Sequence, residues 1–230
     1  MLEEKKSIGT LFDGIAGTYD MLNHLLSLNI DKSWRRRTVQ KLTHAQNLLD
    51  VAIGTADLSL EIMRQQKATK IQGIDVSREM MRIGKEKVSK VGFAENIRFD
   101  YGSALEMPYA DNTFDALTCA YGLRNFPDAD KGLAEFYRVM QPGAQLAILE
   151  FSYPENRVIR FGYDLFFTHV LPFVGRVFSH DKSAYTYLNR SVKEFMWGEE
   201  MVSHIQNAGF KNVRFQPLTF GITTVYTATK

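Results

Sequence analysis

The chain has 230 residues, 45% of them hydrophobic and 23% charged, with a formal net charge of +2. That length suits one α/β domain with a large core, and the near-neutral balance gives no global electrostatic drive toward nucleic acid. The single cysteine, Cys119, excludes a disulfide framework and suits a reducing compartment; inside the apolar run 116–120 it reads as a core thiol.

In chain order, residues 1–9 are charged and lack an apolar h-region, which predicts no signal peptide and a cytoplasmic protein. A helical preface over 1–45 leads into an alternating β/α core over 46–152, a helical lid over 153–197, and a closing helix and hairpin over 198–230, all within one domain. Strands are predicted at 47–53, 70–75, 96–101, 114–120 and 145–151, each short, apolar and followed by turn or helix signals. Their alternation with helices implies a parallel sheet. Ser77 can N-cap the helix that follows it, and Ala129, Leu133, Phe136, Tyr137 and Met140 recur at helical spacing as core positions before Gln141-Pro142-Gly143 stops the helix. Strands at 213–218 and 222–228 flank Thr219-Phe220-Gly221, so a hairpin must place one strand antiparallel to its neighbour. There are no repeats and no low-complexity tract.

The stretch 48–57, taken with 71–75, carries the chemistry: an apolar strand, a turn around one glycine, a helix start, and a second strand ending on Asp75. In a parallel α/β unit, an acid about twenty residues beyond the turn can accept both hydroxyls of a ribose. A dinucleotide turn wants three glycines for its pyrophosphate, whereas Val51-Ala52-Ile53-Gly54-Thr55-Ala56-Asp57 has only Gly54. One close backbone approach suits S-adenosylmethionine, which lacks a phosphate, and its ammonium and sulfonium suit the carboxylates Asp50 and Asp57. Gly54 and Thr55 in the turn and Ala120 at the end of the fourth strand complete this side of the expected cofactor site.

Further blocks make the pattern specific. Phe12-Asp13-Gly14-Ile15-Ala16 with Tyr19-Asp20, Asn23, Ser27 and Trp34-Arg35, then Gly122-Leu123-Arg124-Asn125, Leu149-Glu150-Phe151-Ser152, and Tyr185-Thr186-Tyr187-Leu188 with Ser191, resemble the ubiquinone/menaquinone biosynthesis C-methyltransferase family over about 12–228. The resemblance implies a class I, Rossmann-like methyltransferase fold, with a seven-stranded, mostly parallel sheet, one antiparallel strand and a helical lid insertion. It also implies methyl transfer from S-adenosyl-L-methionine to a ring carbon of a prenylated hydroquinone, giving menaquinol or, in some members, a ubiquinol precursor. Three departures stand out. Relatives commonly carry Gly-Gly-Thr-Gly-Asp where this chain has Ile53-Gly54-Thr55-Ala56-Asp57, and Ile53 is expected to point into the sheet core. Ser103-Ala104 stands where many methyltransferases place an acid against the adenine amine, a role open to a backbone N–H or the Ser103 hydroxyl. Phe195-Met196-Trp197 replaces a frequent proline in the lid.

A hydroquinone ring carbon is a poor nucleophile until its phenol ionises, and an unperturbed phenol has a pKa of about 10. Arg124, after the fourth strand, is the expected cation for the phenolate; Asn125 would orient the substrate oxygen and Tyr19 could set a hydroxyl above the ring. The bland alternative has Arg124 paired with a surface acid and Asn125 capping the next helix. His169, His180 and His204 read as structural or surface residues, no strong base is evident, and nothing in the pattern calls for a metal. The segment 157–180 is too apolar for a solvated loop and too interrupted by charge to span a bilayer. It is either a cover for a polyprenyl tail, with Phe166 and Phe173 touching substrate and contact with the inner face of a membrane, or a subdomain core or homodimer face; the resemblance implies that Tyr185 and Tyr187 also touch substrate. Arg35-Arg36-Arg37 either meets anionic headgroups or forms a solvated helix face, and the second is the expected reading. A nicotinamide-dependent reductase would share the Asp75 geometry but not the lone glycine, another lipophilic acceptor would share the fold, and a non-catalytic adenosyl-binding protein would lack Arg124-Asn125.

Overall fold

Apolar runs that alternate between two faces set the sheet, and amphipathic helices cover it. The computed structural model describes residues 8–166, 168 and 189–230. Two helices, α1 (Ile8–Leu26) and α2 (Ile30–Gln40), precede β1 (Ala45–Val51), α3 (Asp57–Arg64), β2 (Ala68–Asp75), α4 (Arg78–Lys90), β3 (Ile97–Tyr101) and β4 (Phe114–Ala120). A 3-10 turn at Leu123–Asn125 leads to α5 (Ala129–Val139), β5 (Met140–Phe151), α6 (Arg157–Leu165), α7 (Glu199–Asn207), β6 (Lys211–Leu218) and β7 (Thr223–Thr229). The seven strands form one sheet in the order β3-β2-β1-β4-β5-β7-β6; β1 to β5 pair in parallel, and β7 runs antiparallel to both neighbours. The expected parallel core with a closing hairpin is what the chain forms.

Period-2 alternation sorts side chains between the faces. Leu48, Ala116 and Ala147 join α2, α3 and α4 through Val39, Ile62 and Val88. Leu49, Leu117, Leu146 and Ile148 join α5 and α7 through Leu133, Phe136, Met201 and Ile205. Cys119 is fully buried, and burial pushes its thiol well above its ordinary pKa, so it is a core residue without thiolate reactivity. Ser77 caps α4 by accepting from the Met80 backbone N–H at 3.2 Å. Of the helical core positions expected around α5, Leu133 and Phe136 are buried and Ala129 and Tyr137 partly so. Met140 is fully buried as expected, but it opens β5, because the helix ends at Val139 and the next residue is extended.

This order puts β1 between β2 and β4, the point where strand progression reverses and a crevice opens at the carboxyl ends of the strands. The β1–α3 turn there holds three left-handed residues in alternation: Ala52 (φ 57°), Gly54 (φ 52°) and Ala56 (φ 65°). Two alanines thus take a conformation that costs an L-residue about 1–2 kcal/mol each. Ile53 between them is buried with α3 and β2, over Gly73, where a Cβ would clash with the Ile53 Cδ1. The branched side chain therefore points into the core, as expected.

Candidate functional site

A cavity of about 460 Å³ lies in that crevice, a volume suited to a nucleoside-sized ligand. Its walls come from the β1–α3 turn, the ends of β2, β3 and β4, and the inner side of α1 and α2. Asp75 closes β2, with Oδ2 accepting from the Gly54 N–H and Oδ1 from the Ser77 N–H, each at 2.8 Å. Each oxygen keeps a further lone pair, so the carboxylate is anchored and still able to accept from a ribose. Burial raises its pKa, with those backbone bonds working against the rise. Beyond Asp75, toward β3, Ile74, Met80, Tyr101 and Leu105 make an apolar slot with Ser103 and Ala104 on its rim. The Ser103 Oγ is engaged by the Leu105 N–H at 3.1 Å, so at this rim the polar groups are held by the loop itself. Gly54, Thr55, Asp57, Ala120, Asn125 and Tyr19 all line the same cavity, which gathers most of the residues expected from the sequence.

The helical preface closes this cavity through charge. Asp13 of α1 accepts from the Ser77 Oγ at 2.6 Å and the Glu79 N–H at 3.1 Å. Asp20 accepts from the Thr55 Oγ1 and from the Lys87 Nζ, both at 2.7 Å, and Lys87 also binds Asp57. His24 bonds Asp31 at 2.8 Å and lies 4.0 Å from Asp57. Arg35 departs from the expected solvated face: Arg36 and Arg37 are exposed, but Arg35 is 8% exposed, pairs with Asp31 and lines the cavity. The signal was present in the sequence, since Asp31, Trp34, Arg35, Thr38 and Val39 form one buried helical stripe. Asp20 and Lys87 carry no comparable signal; their partners are 35 and 30 residues away, at Thr55 and Asp57 respectively.

At the β4 end, Tyr121 has φ 57°, and its carbonyl accepts from Arg124 Nη1 at 2.5 Å and from Asn125 Nδ2 at 3.0 Å. Arg124 also binds the Glu150 Oε1 at 2.8 Å and lies 5.1 Å from the centroid of the Phe151 ring. Glu150 is 1% exposed, so the partner of Arg124 is a buried acid rather than a surface one. Asn125 does not cap α5; Asp128 does, accepting from the Lys131 N–H at 2.9 Å. Asn125 lines the cavity, while Arg124 stands behind it, near enough to Tyr19 to lower a phenol pKa that burial raises. Tyr19 packs edge-on against Phe12 at 6.0 Å between centroids.

Asp50 lines the cavity floor, but both its oxygens are taken, by the Ser59 Oγ at 2.6 Å and the Thr118 Oγ1 at 2.8 Å. Burial pushes its pKa up to about 6 from an ordinary 3.8. The folded chain therefore holds this proton more tightly than the unfolded chain, and the stability it contributes below pH 4 is lost as the pH rises through about 6. Asp50→Asn should remove that slope, so its stability relative to wild type should rise by up to about 3 kcal/mol between pH 4 and pH 7. Urea titrations across that range read the difference; parallel profiles for the two proteins would show that Asp50 does not titrate there.

Phe166 is partly buried against Tyr163 and Val192. Phe173, Tyr185 and Tyr187, with His169, His180 and most of the expected tail cover, lie outside the described residues. His204 sits on the surface, bonded to Asp130 at 2.6 Å. No helix among the described residues is long and apolar enough to cross a membrane.

The sequence matches the ubiE/COQ5 methyltransferase family over residues 1–230. It is 43% identical over 230 residues to a demethylmenaquinone methyltransferase of Bacteroides fragilis, covering 99% of this chain and 94% of that one. It is also 43% identical over 233 residues to a ubiquinone/menaquinone biosynthesis C-methyltransferase of Geotalea daltonii, covering 100% and 99%. Among solved structures, an S-adenosylmethionine-dependent methyltransferase from Thermotoga maritima superposes with a TM-score of 0.69 at 16% identity, over 96% of this chain and 99% of that one, which shows the shared fold.

Proposed function

Because this chain belongs to the ubiE/COQ5 methyltransferase family, we propose that it methylates a ring carbon of demethylmenaquinol, using S-adenosylmethionine, to give menaquinol. The observation that carries this reading is one cavity running from Asp75, at the end of β2, to Asn125, beyond β4, and Tyr19, on α1. It joins a nucleoside end to an end that can hold a phenol.

The residues fit the cofactor. Asp75 would receive the ribose hydroxyls, and the slot by Ser103 and Ala104 would take the adenine. The turn with Gly54 and Thr55, together with Ala120, would surround the methionine end, where Asp50 and Asp57 would supply negative charge toward the ammonium and sulfonium. When bound, S-adenosylmethionine supplies an electrophilic methyl group on that sulfonium. Toward the acceptor, Asn125 orients the quinol oxygen, its amide fixed by the Tyr121 carbonyl. Arg124 favours the phenolate from behind Asn125, and Glu150 together with the Tyr121 carbonyl fixes the direction of its charge. Tyr19 places its hydroxyl at the acceptor end of the cavity. The residues that α1 and α2 add to the cavity wall reduce its contact with water, which strengthens each of these electrostatic contacts. Phe166 lies in the segment read as the tail-binding cover, and α6 exposes Val158, Phe161 and Leu165, which suits peripheral contact with a membrane holding a prenylated quinol.

Transfer of tritiated methyl from labelled cofactor to short-chain demethylmenaquinol tests the reading. Incorporation into the naphthoquinol ring is the expected result. Incorporation only into the ubiquinone-pathway benzoquinol would move the activity to that branch, and labelling of neither would remove the quinol substrate.

A further inference from the structure

We propose that Arg35 is the receptor for the carboxylate of the cofactor's methionine end, an inference that rests on the methyltransferase reading above. Four carboxylates line the wall, Asp13, Asp50, Asp57 and Asp75, and among the described residues Arg35 is the one Lys, Arg or His that does so. S-adenosylmethionine brings two cationic centres, which the acids suit, and one carboxylate, which they repel. A wall of acids alone would leave that carboxylate facing like charge in a buried site.

The position of Arg35 matches the direction in which the ligand must lie. Asp75 fixes the ribose at the end of β2, and the apolar slot lies farther out, by β3. The methionine end therefore runs the other way, over the β1–α3 turn toward β4. Arg35 sits there, with Nη2 3.7 Å from Asp57 at the start of α3 and its guanidinium carbon 5.8 Å from the centroid of the Tyr121 ring beyond β4.

Its donors are also available. A guanidinium has five N–H groups, and Arg35 makes one side-chain hydrogen bond, from Nη1 to Asp31. At 3.7 Å the Asp57 oxygen is beyond hydrogen-bond reach of Nη2, and Asp57 already has Lys87 as its close partner. Asp31 is held by the Ser27 Oγ at 2.7 Å and by His24 at 2.8 Å, so Arg35 is aimed before any ligand arrives. An oriented, desolvated arginine is a strong receptor for a carboxylate.

The test compares binding of S-adenosylmethionine with binding of its decarboxylated analogue by calorimetry. Wild type should bind the decarboxylated ligand at least about tenfold more weakly, as expected for losing one charged hydrogen-bonded pair. Arg35→Gln should weaken S-adenosylmethionine by a similar factor and the analogue by less than about threefold, collapsing the ratio, and Arg35→Lys should restore part of it. Because Arg35→Gln strands Asp31, the pair Asp31→Asn/Arg35→Gln serves as a second variant of matched charge. Equal affinity of wild type for both ligands would overturn the assignment without any variant. So would an unchanged ratio in a folded Arg35 variant; if turnover with saturating cofactor were lost at the same time, Arg35 would act on the acceptor. Failure of wild type to bind either ligand would instead remove the cofactor reading, and this assignment with it.

Discussion

Asp75→Ala should weaken S-adenosylmethionine binding by about a hundredfold or more while leaving the sheet folded. A hydrogen bond to a charged group contributes about 1.5–3 kcal/mol, and two ribose hydroxyls on one carboxylate lose both contributions together. Loss of one bond alone already exceeds tenfold. The substitution also frees the Gly54 and Ser77 N–H groups that Asp75 now holds at 2.8 Å, so the turn loses its anchor as well as its ligand. Calorimetry on a protein with a cooperative melt reads the effect. Unchanged affinity in such a protein would mean that the ribose lies elsewhere.

Arg124→Ala should destabilise the protein by about 3–5 kcal/mol, because it leaves Glu150 buried with its charge uncompensated. That exceeds the loss expected from an exposed arginine, whose surface pair contributes about 0–1 kcal/mol. Turnover should fall too, since a cation directed at a developing phenolate acts mainly in the transition state. Arg124→Met with Glu150→Gln separates the two effects. The paired variant keeps shape without charge, so it should regain most of the lost stability and still turn over slowly with cofactor affinity intact. If the paired variant recovers full turnover, Arg124 is a structural residue only; if Arg124→Ala melts like wild type, the buried pair carries no stability.

The strands illustrate what a linear pattern can carry. β4 begins and ends at the predicted residues, Phe114 and Ala120, and β2 ends at the predicted Asp75. β5 begins five residues before its predicted start at Gln145, because Met140 pairs with Phe114 across a register shift that local turn residues do not reveal. The β1–α3 turn shows a subtler limit. Its single glycine was legible, but two alanines adopt the same left-handed geometry because surrounding packing over-determines them, including Ile53 seated over Gly73. Arg124 illustrates a third limit. Its place after β4 was readable, whereas its partner Glu150 lies 26 residues on, at the end of the adjoining strand, and only strand pairing brings them together.

By itself the sequence determined the order of helices and strands, the parallel core with its hairpin, the Ser77 cap, and an acid at the end of β2 beside a one-glycine turn. Those features follow from burial periodicity, capping and backbone sterics acting over a few residues. Only the tertiary structure decided which arginine of Arg35-Arg36-Arg37 turns inward, how Asp20 and Lys87 clamp the preface onto Thr55 and Asp57, and that Arg124 answers to Glu150. Charge pairs of this kind depend on which distant elements become neighbours. That is set by the order of strands in the sheet and the docking of α1 and α2 over it, so groups with unremarkable local sequence acquire their partners, and their burial, only when the chain closes.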